Sequence, residues 1–210
     1  MRFERKYRID NLSLQHVQQV LRVHPASFYK IFPDRVVNNI YFDTPHMSCL
    51  QDNLNGVNIR KKYRLRWYGP QPHLLKNPQL EIKFKENDLG GKTIFKLADA
   101  QLNDLDSISN QVHAALTEQL VLQPTLLNSY QRSYWGTKDK KFRITIDSGL
   151  RFHPLLYAAK FSKYRIFDQV VIVELKYEKE DEKDVHRIID YLPFRLSKNS
   201  KYVQGILLTQ

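Results

Sequence analysis

The sequence predicts an α+β domain built around an antiparallel sheet, and three observations carry that prediction. Segments that alternate apolar and polar residues dominate the chain, which is the periodicity of strands. Neighbouring strand segments are joined by short turns, and strands joined in that way pair antiparallel. Only a few helical patterns are interspersed among them, so the chain does not read as the strict strand–helix alternation of a parallel sheet.

Strands are expected at about 2–9, 35–43, 57–68, 79–87, 92–97, 124–135, 141–147, 162–167 and 169–178. Ser13 is placed to cap a helix that carries Leu14, Val17, Val20 and Leu21 on one face. Thr44 followed by Pro45 predicts a short helix bearing Met47, Leu50 and Leu54. Residues 99–121 hold Leu102, Leu105, Val112, Leu116 and Leu120, read as two helices broken near Ser107. A last helix from Asp181 to Tyr191 would bury Val185, Ile188 and Ile189. The clearest turn is Asp88-Leu89-Gly90-Gly91, between two strand segments.

With 210 residues, 42% of them apolar, and nothing that reads as a linker, residues 1–210 are expected to form one domain with a core of its own. Lys and Arg number 33 against 22 Asp and Glu, a formal charge of +11, which points to an anionic partner. Cys49 is the only cysteine, so a disulfide framework and a thiolate metal cluster are excluded. A reducing cytoplasmic setting is the expectation. Residues 3–7 are strand-like and charged rather than a signal segment, and no apolar stretch approaches a membrane span. The seven histidines form no His-x-x-x-His pair. Gly91-Lys92-Thr93 resembles the end of a P-loop, but Glu86 stands where the first glycine is required.

Alternate side chains of a strand point to opposite faces, so each strand divides into two sets. Arg60, Lys62, Arg64 and Arg66 oppose Lys61, Tyr63, Leu65 and Trp67. Glu81, Lys83 and Lys85 oppose Leu80, Ile82 and Phe84. Glu4, Lys6 and Arg8 oppose Phe3, Tyr7 and Ile9, with Arg5 an exception. Arg143, Thr145 and Asp147 oppose Phe142, Ile144 and Ile146, and Glu174 and Lys176 oppose Val173, Leu175 and Tyr177. A row of like charges along one face destabilises the empty sheet, and a bound polyanion offsets that repulsion. Each phosphate contact is a charge-assisted hydrogen bond worth roughly 1.5–3 kcal/mol. Closing the sheet with this face inward makes a narrow basic tunnel. Glu4, Glu81 and Glu174 share the charged faces, and a carboxylate facing phosphate calls for a divalent cation between them. Glu174 is the first choice because its strand is the most apolar; an ion pair with a neighbouring Lys or Arg is the alternative for it.

Several motifs then fall in one order. Phe3-Glu4-Arg5-Lys6-Tyr7 resembles the N-terminal signature of the triphosphate tunnel metalloenzymes, Glu-x-Glu-x-Lys, with Arg2 where the first Glu belongs. Asn39-Ile40-Tyr41-Phe42-Asp43, Tyr63-Arg64-Leu65-Arg66-Trp67-Tyr68-Gly69, Glu81-Ile82-Lys83, Tyr130-Gln131-Arg132, Val173-Glu174-Leu175-Lys176 and Ser200-Lys201-Tyr202 follow. Together they resemble the vacuolar transporter chaperone (VTC) branch of that superfamily, the polyphosphate polymerases. The resemblance implies an antiparallel β-barrel or tunnel of about eight strands with peripheral helices. It implies transfer of the ATP γ-phosphoryl group onto inorganic polyphosphate, with Mn2+ or Mg2+ as cofactor.

By position, Lys6, Arg64, Arg66, Lys83, Arg132 and Lys201 would act on the reacting phosphates. Tyr130, Lys62, Lys85, Lys176, Lys198 and Ser200 would help bind them, and Glu174 would hold the metal. Hydrolysis of tripolyphosphate or nucleoside triphosphate on the same scaffold is an alternative. A non-catalytic module that binds polyphosphate or inositol polyphosphates is another. A narrow tunnel does not admit duplex, so nucleic acid is not the expected partner. A membrane partner and the oligomeric state are left open.

Overall fold

A computed structural model describes residues 2–86, 89–117, 120–156 and 166–209. In chain order the elements are β1 (Arg2–Ile9), α1 (Leu14–Arg22), β2 (Tyr29–Asp43), α2 (Ser48–Leu54), β3 (Ile59–Tyr68), β4 (Leu74–Leu75), β5 (Gln79–Glu86) and β6 (Leu89–Lys96). Then come β7 (Ala100–Gln101), α3 (Leu105–Ala115), β8 (Gln123–Gly136), β9 (Arg143–Pro154), β10 (Ile166–Asp168), β11 (Val171–Glu178), a 3-10 segment (Lys179–Asp184), α4 (His186–Ile189) and α5 (Lys201–Thr209). The contacts gather these residues into two compact units. The first holds Met1–Arg35, Tyr130–Leu150 and Phe167–Asn199; the second holds Val36–Ser129, Arg151–Ile166 and Ser200–Gln210.

In the first unit β1 pairs antiparallel with β11 along its whole length, from Arg2 opposite Glu178 to Ile9 opposite Val171. The other edge of β11 pairs with β9, setting Glu174 opposite Thr145 and Lys176 opposite Arg143. One face of these strands is apolar, as their alternation requires: Tyr7, Ile9, Val171, Val173, Leu175, Ile144 and Ile146 are buried against Val17 and Leu21 of α1 and against Val185 and Ile188. Arg5, the exception in that alternation, finds its own partners. Its Nε donates to the Tyr177 hydroxyl at 2.9 Å, and its guanidinium pairs with Glu182 at 3.2 Å.

In the second unit β2, β3, β5 and β6 follow one another in hydrogen-bonded order. Their apolar face buries Ile40, Phe42, Tyr63, Leu65, Trp67 and Leu80 together with Leu75 and with Ile108 and Val112 of α3. Trp67 is wholly buried there, whereas Tyr68 at the end of β3 is 41% exposed.

Four elements differ from expectation for identifiable reasons. α3 is one helix, not two, because Ser107 sits in its first turn, where its backbone N–H donates to the Asp104 side chain at 3.0 Å. α2 begins at Ser48 rather than after Pro45, since the Asp43 carboxylate accepts the N–H groups of Cys49 and Leu50, each at 2.9 Å. Gly90 and Gly91 lie within β6 opposite Lys85 and Phe84 rather than in a turn, and residues 87–88 fall outside the described residues. β2 starts at Tyr29 because residues 29–35 are strand despite exposure on both faces, which erases the alternation. The 162–167 strand lies mostly outside the described residues, apart from the start of β10. β4, β7 and α5 carry no signal that the periodicity resolves.

Candidate polyanion-binding site

The polar face of the first unit is set by register. Residues paired across an antiparallel ladder point to the same side. Lys6 therefore faces Glu174, and Glu4 faces Lys176. The four charges close into a ring. Lys6 Nζ lies 2.8 Å from Glu4 Oε1 and 3.7 Å from Glu174 Oε1. Lys176 Nζ lies 2.9 Å from Glu174 Oε2 and 3.7 Å from Glu4 Oε2.

Arg132, on β8, extends this ring inward. Its Nε and NH2 donate to the two carboxylate oxygens of Asp147 at 2.5 and 2.6 Å, and NH2 also lies 3.9 Å from Glu174 Oε2. The guanidinium carbon sits 5.3 Å from the centre of the Tyr130 ring. Burial works against the charge on Arg132, but Asp147, Tyr130 and Glu174 outweigh it and hold the guanidinium firmly protonated. Three cations, Lys6, Lys176 and Arg132, thus meet three carboxylates, Glu4, Glu174 and Asp147. This cluster is close to neutral.

The second unit is different. The register across β3, β5 and β6 sets Lys62, Lys83 and Lys92 directly opposite one another, and Arg60 opposite Lys85. Arg64 faces Glu81 and Arg66 faces Gln79. Glu81 is the one carboxylate among these groups and serves several cations. It is ion-paired with Arg64, lies 3.8 Å from Arg66 NH1 and lies 3.4 Å from Lys92 Nζ. Burial pushes the Glu81 carboxyl up, yet Arg64, Arg66 and Lys92 prevail and hold it at about 2. Here cations exceed carboxylate, so the charge excess of the strands concentrates on β3, β5 and β6.

Two polar relays aim these cations. Arg66 Nε donates to Asn39 Oδ1 at 2.9 Å, and Asn39 Nδ2 donates to Asn128 Oδ1 at 3.0 Å. All three side chains are buried, which locks the guanidinium in one direction. Lys62 Nζ donates to Ser200 Oγ at 3.1 Å, just before α5. That helix is anchored through Tyr202, whose hydroxyl donates to the buried Asp43 carboxylate. Asp43 therefore caps α2 and positions α5 at once. Cys49 nearby is inert: burial first, and Asp43 beside it, push its thiol up to about 12.

The structure thus gathers Lys6, Tyr130, Arg132, Glu174 and Lys176 in the first unit. Lys198 is exposed in the same unit, between Ser197, whose N–H donates to the Lys6 carbonyl at 2.8 Å, and Asn199, whose carbonyl accepts from Lys6 Nζ at 3.4 Å. Lys62, Arg64, Arg66, Lys83, Lys85 and Ser200 share the second unit, where Lys201 is the buried first residue of α5. Asp147, Asn39, Asn128 and Asp43 belong to these clusters and were not read as site residues. Of these, Asp147 on a charged face and Asn39 and Asp43 inside one motif carried a signal along the chain.

Among the described residues no three His, Cys, Asp or Glu stand close enough to hold a metal on their own. Glu174 and Glu4 each stand against both Lys6 and Lys176; Mg2+ or Mn2+ is commonly held by one or two carboxylates plus water and substrate phosphate.

Comparison with known proteins places this arrangement. The VTC domain model matches residues 1–210. No curated protein matches significantly. Among solved structures, a protein of Vibrio parahaemolyticus named as an adenylate cyclase superposes with a TM-score of 0.55 at 16% identity, over 97% of each chain. A protein of Hippeastrum named as an adenylyl cyclase and described with a dominant triphosphatase activity superposes with a TM-score of 0.54 at 14% identity, over 99% of this chain and 96% of that one. The chain shares the fold of these two proteins, and it belongs to the VTC domain family.

Proposed function

We propose that residues 1–210 act as one metal-dependent domain that builds inorganic polyphosphate from ATP. The observation that carries this reading is the gathering of Lys62, Arg64, Arg66, Lys83 and Lys92 on β3, β5 and β6 around the Glu81 carboxylate. In the transfer, a terminal oxygen of the growing chain attacks the γ-phosphorus, the bond from that phosphorus to the β,γ-bridging oxygen breaks, and ADP leaves with the electron pair. Such a reaction needs alignment and charge neutralisation more than a covalent nucleophile. Arg66, fixed by Asn39 and Asn128, and Arg64 would orient the triphosphate. Lys62, Lys83, Lys85 and Lys201 would neutralise it, with Ser200 holding Lys62. In the first unit, Arg132 and Lys6, with Tyr130, Lys176 and Lys198 around them, would hold phosphates. Glu174, with Glu4 beside it, would hold the Mn2+ or Mg2+, which when bound draws charge from the phosphate oxygens.

Incubation of the pure chain with ATP and Mn2+ is expected to release ADP and lengthen polyphosphate, resolved by gel electrophoresis. The reading fails if no chains form, or if Arg66→Ala performs like the wild type. A second reading, hydrolysis of tripolyphosphate, is favoured by the triphosphatase activity described for the Hippeastrum protein. Release of orthophosphate from tripolyphosphate without chain growth would select it. No described helix is long and apolar enough to cross a membrane. We assign the protein to a reducing cytoplasmic setting on its single, buried free thiol.

A further inference from the structure

Beside the ring of Glu4, Lys6, Glu174 and Lys176, the first unit holds an open groove of about 480 Å3. Lys176 belongs to both, since it lines the groove while its ammonium sits 2.9 Å from Glu174. The remaining wall, which also includes Thr137 and Glu178, offers cations and aromatic rings. Arg143, opposite Lys176 in the ladder, and Lys140 supply cations. Tyr29 and Phe32 of β2, 43% and 49% exposed, supply aromatic surface.

A bare phosphate chain makes no use of aromatic rings, and an apolar ligand makes no use of the cations. A nucleoside triphosphate uses both, because a flat base stacks on an aromatic ring and the polyanionic tail takes the cations. The groove also falls within the volume range of small-molecule sites. Phe32 is braced for such a role: Tyr134 meets its ring edge-on at 5.8 Å, and the Arg35 guanidinium lies 5.9 Å from its centre. A braced ring loses little freedom when a base settles on it.

We infer that this groove is the nucleoside subsite. The base rests on Phe32 and Tyr29, and the phosphates run past Arg143 and Lys176 toward Lys6 and Glu174. The inference rests on the proposed phosphate-handling function and deepens it, because it gives the chain a means of telling ATP from the polyphosphate it would extend.

Calorimetric titration of the full chain with the β,γ-imido analogue of ATP, and separately with tripolyphosphate, tests it. Phe32→Ala and Tyr29→Ala are each expected to weaken the nucleotide analogue roughly tenfold while tripolyphosphate affinity stays within about twofold. Phe32→Tyr is expected to restore the analogue's affinity. Unchanged tripolyphosphate binding also shows that the variants are folded. Equal weakening of both ligands, or no change for the analogue in either alanine variant, overturns the subsite and leaves the proposed function standing. If the wild type binds neither ligand, the proposed function fails and the subsite fails with it.

Discussion

Replacing Glu81 with glutamine leaves Arg64, Arg66 and Lys92 facing one another without their shared counter-charge. The size of the effect follows from the carboxyl itself. Its pKa falls from 4.5 to about 2 in the folded chain, and at about 1.4 kcal/mol per pH unit this is on the order of 3 kcal/mol of stability at neutral pH. Glutamine keeps one acceptor for Arg64, so the expected loss is about 2–3 kcal/mol. For a chain of this length each kcal/mol moves the melting temperature by about 2–4 °C, so Glu81→Gln should melt roughly 4–12 °C below the wild type at pH 7. Added tripolyphosphate should raise the melting point of the variant more than that of the wild type, because the ligand replaces the missing charge. The pH profile gives a second reading. A depressed carboxyl contributes stability that is complete above its unfolded pKa and lost as pH falls to its folded one. The wild type should therefore lose this contribution between about pH 4.5 and 2, while the variant's curve is flatter there. Thermal melts with and without tripolyphosphate at several pH values make the measurement. Equal melting points at pH 7 without ligand, or a smaller ligand-induced rise in the variant, would refute the reasoning.

Asp147→Asn should destabilise the chain by about 3–5 kcal/mol in urea unfolding, because it breaks a buried bidentate pair and leaves Arg132 only the longer contact to Glu174; an unchanged unfolding midpoint would count against the pair. Glu174→Gln should remove the Mg2+ or Mn2+ enhancement of tripolyphosphate binding while metal-free binding is retained or strengthened, as calorimetry with and without metal would record. In Gly205→Ala the new methyl would meet Leu126 Cδ2 at 2.4 Å and Phe152 Cδ1 at 2.6 Å. Overpacking of roughly 1–3 kcal/mol should exceed the gain of about 1 kcal/mol in helix propensity, so melting temperature and tripolyphosphate affinity should fall together as α5, with Lys201, is displaced.

How much of this was legible along the chain depends on the distance over which each signal acts. The division of β3 into Arg60, Lys62, Arg64 and Arg66 against Tyr63, Leu65 and Trp67 is a two-residue period, and it is seen as the division between polar face and core. Strand β2 before Val36 escaped because exposure on both faces leaves no period to read. The helix α5 escaped because its buried residues, Lys201, Tyr202, Gly205 and Ile206, include a lysine and a glycine that do not look like core. The relay from Arg66 through Asn39 to Asn128 joins residues 27 and 89 positions apart, and the bond from Tyr202 to Asp43 spans 159. No local pattern encodes such pairings.

Alternation, composition and ordered motifs by themselves determined that the chain is antiparallel α+β, that its strands carry cations on one face, and that it resembles the VTC family. The tertiary structure alone decided which cations are balanced. Register sets Lys6 and Lys176 against Glu174 and Glu4, yet sets Lys62 against Lys83 and Lys92. Periodicity tells only which face a side chain takes; the pairing of strands decides what stands opposite it.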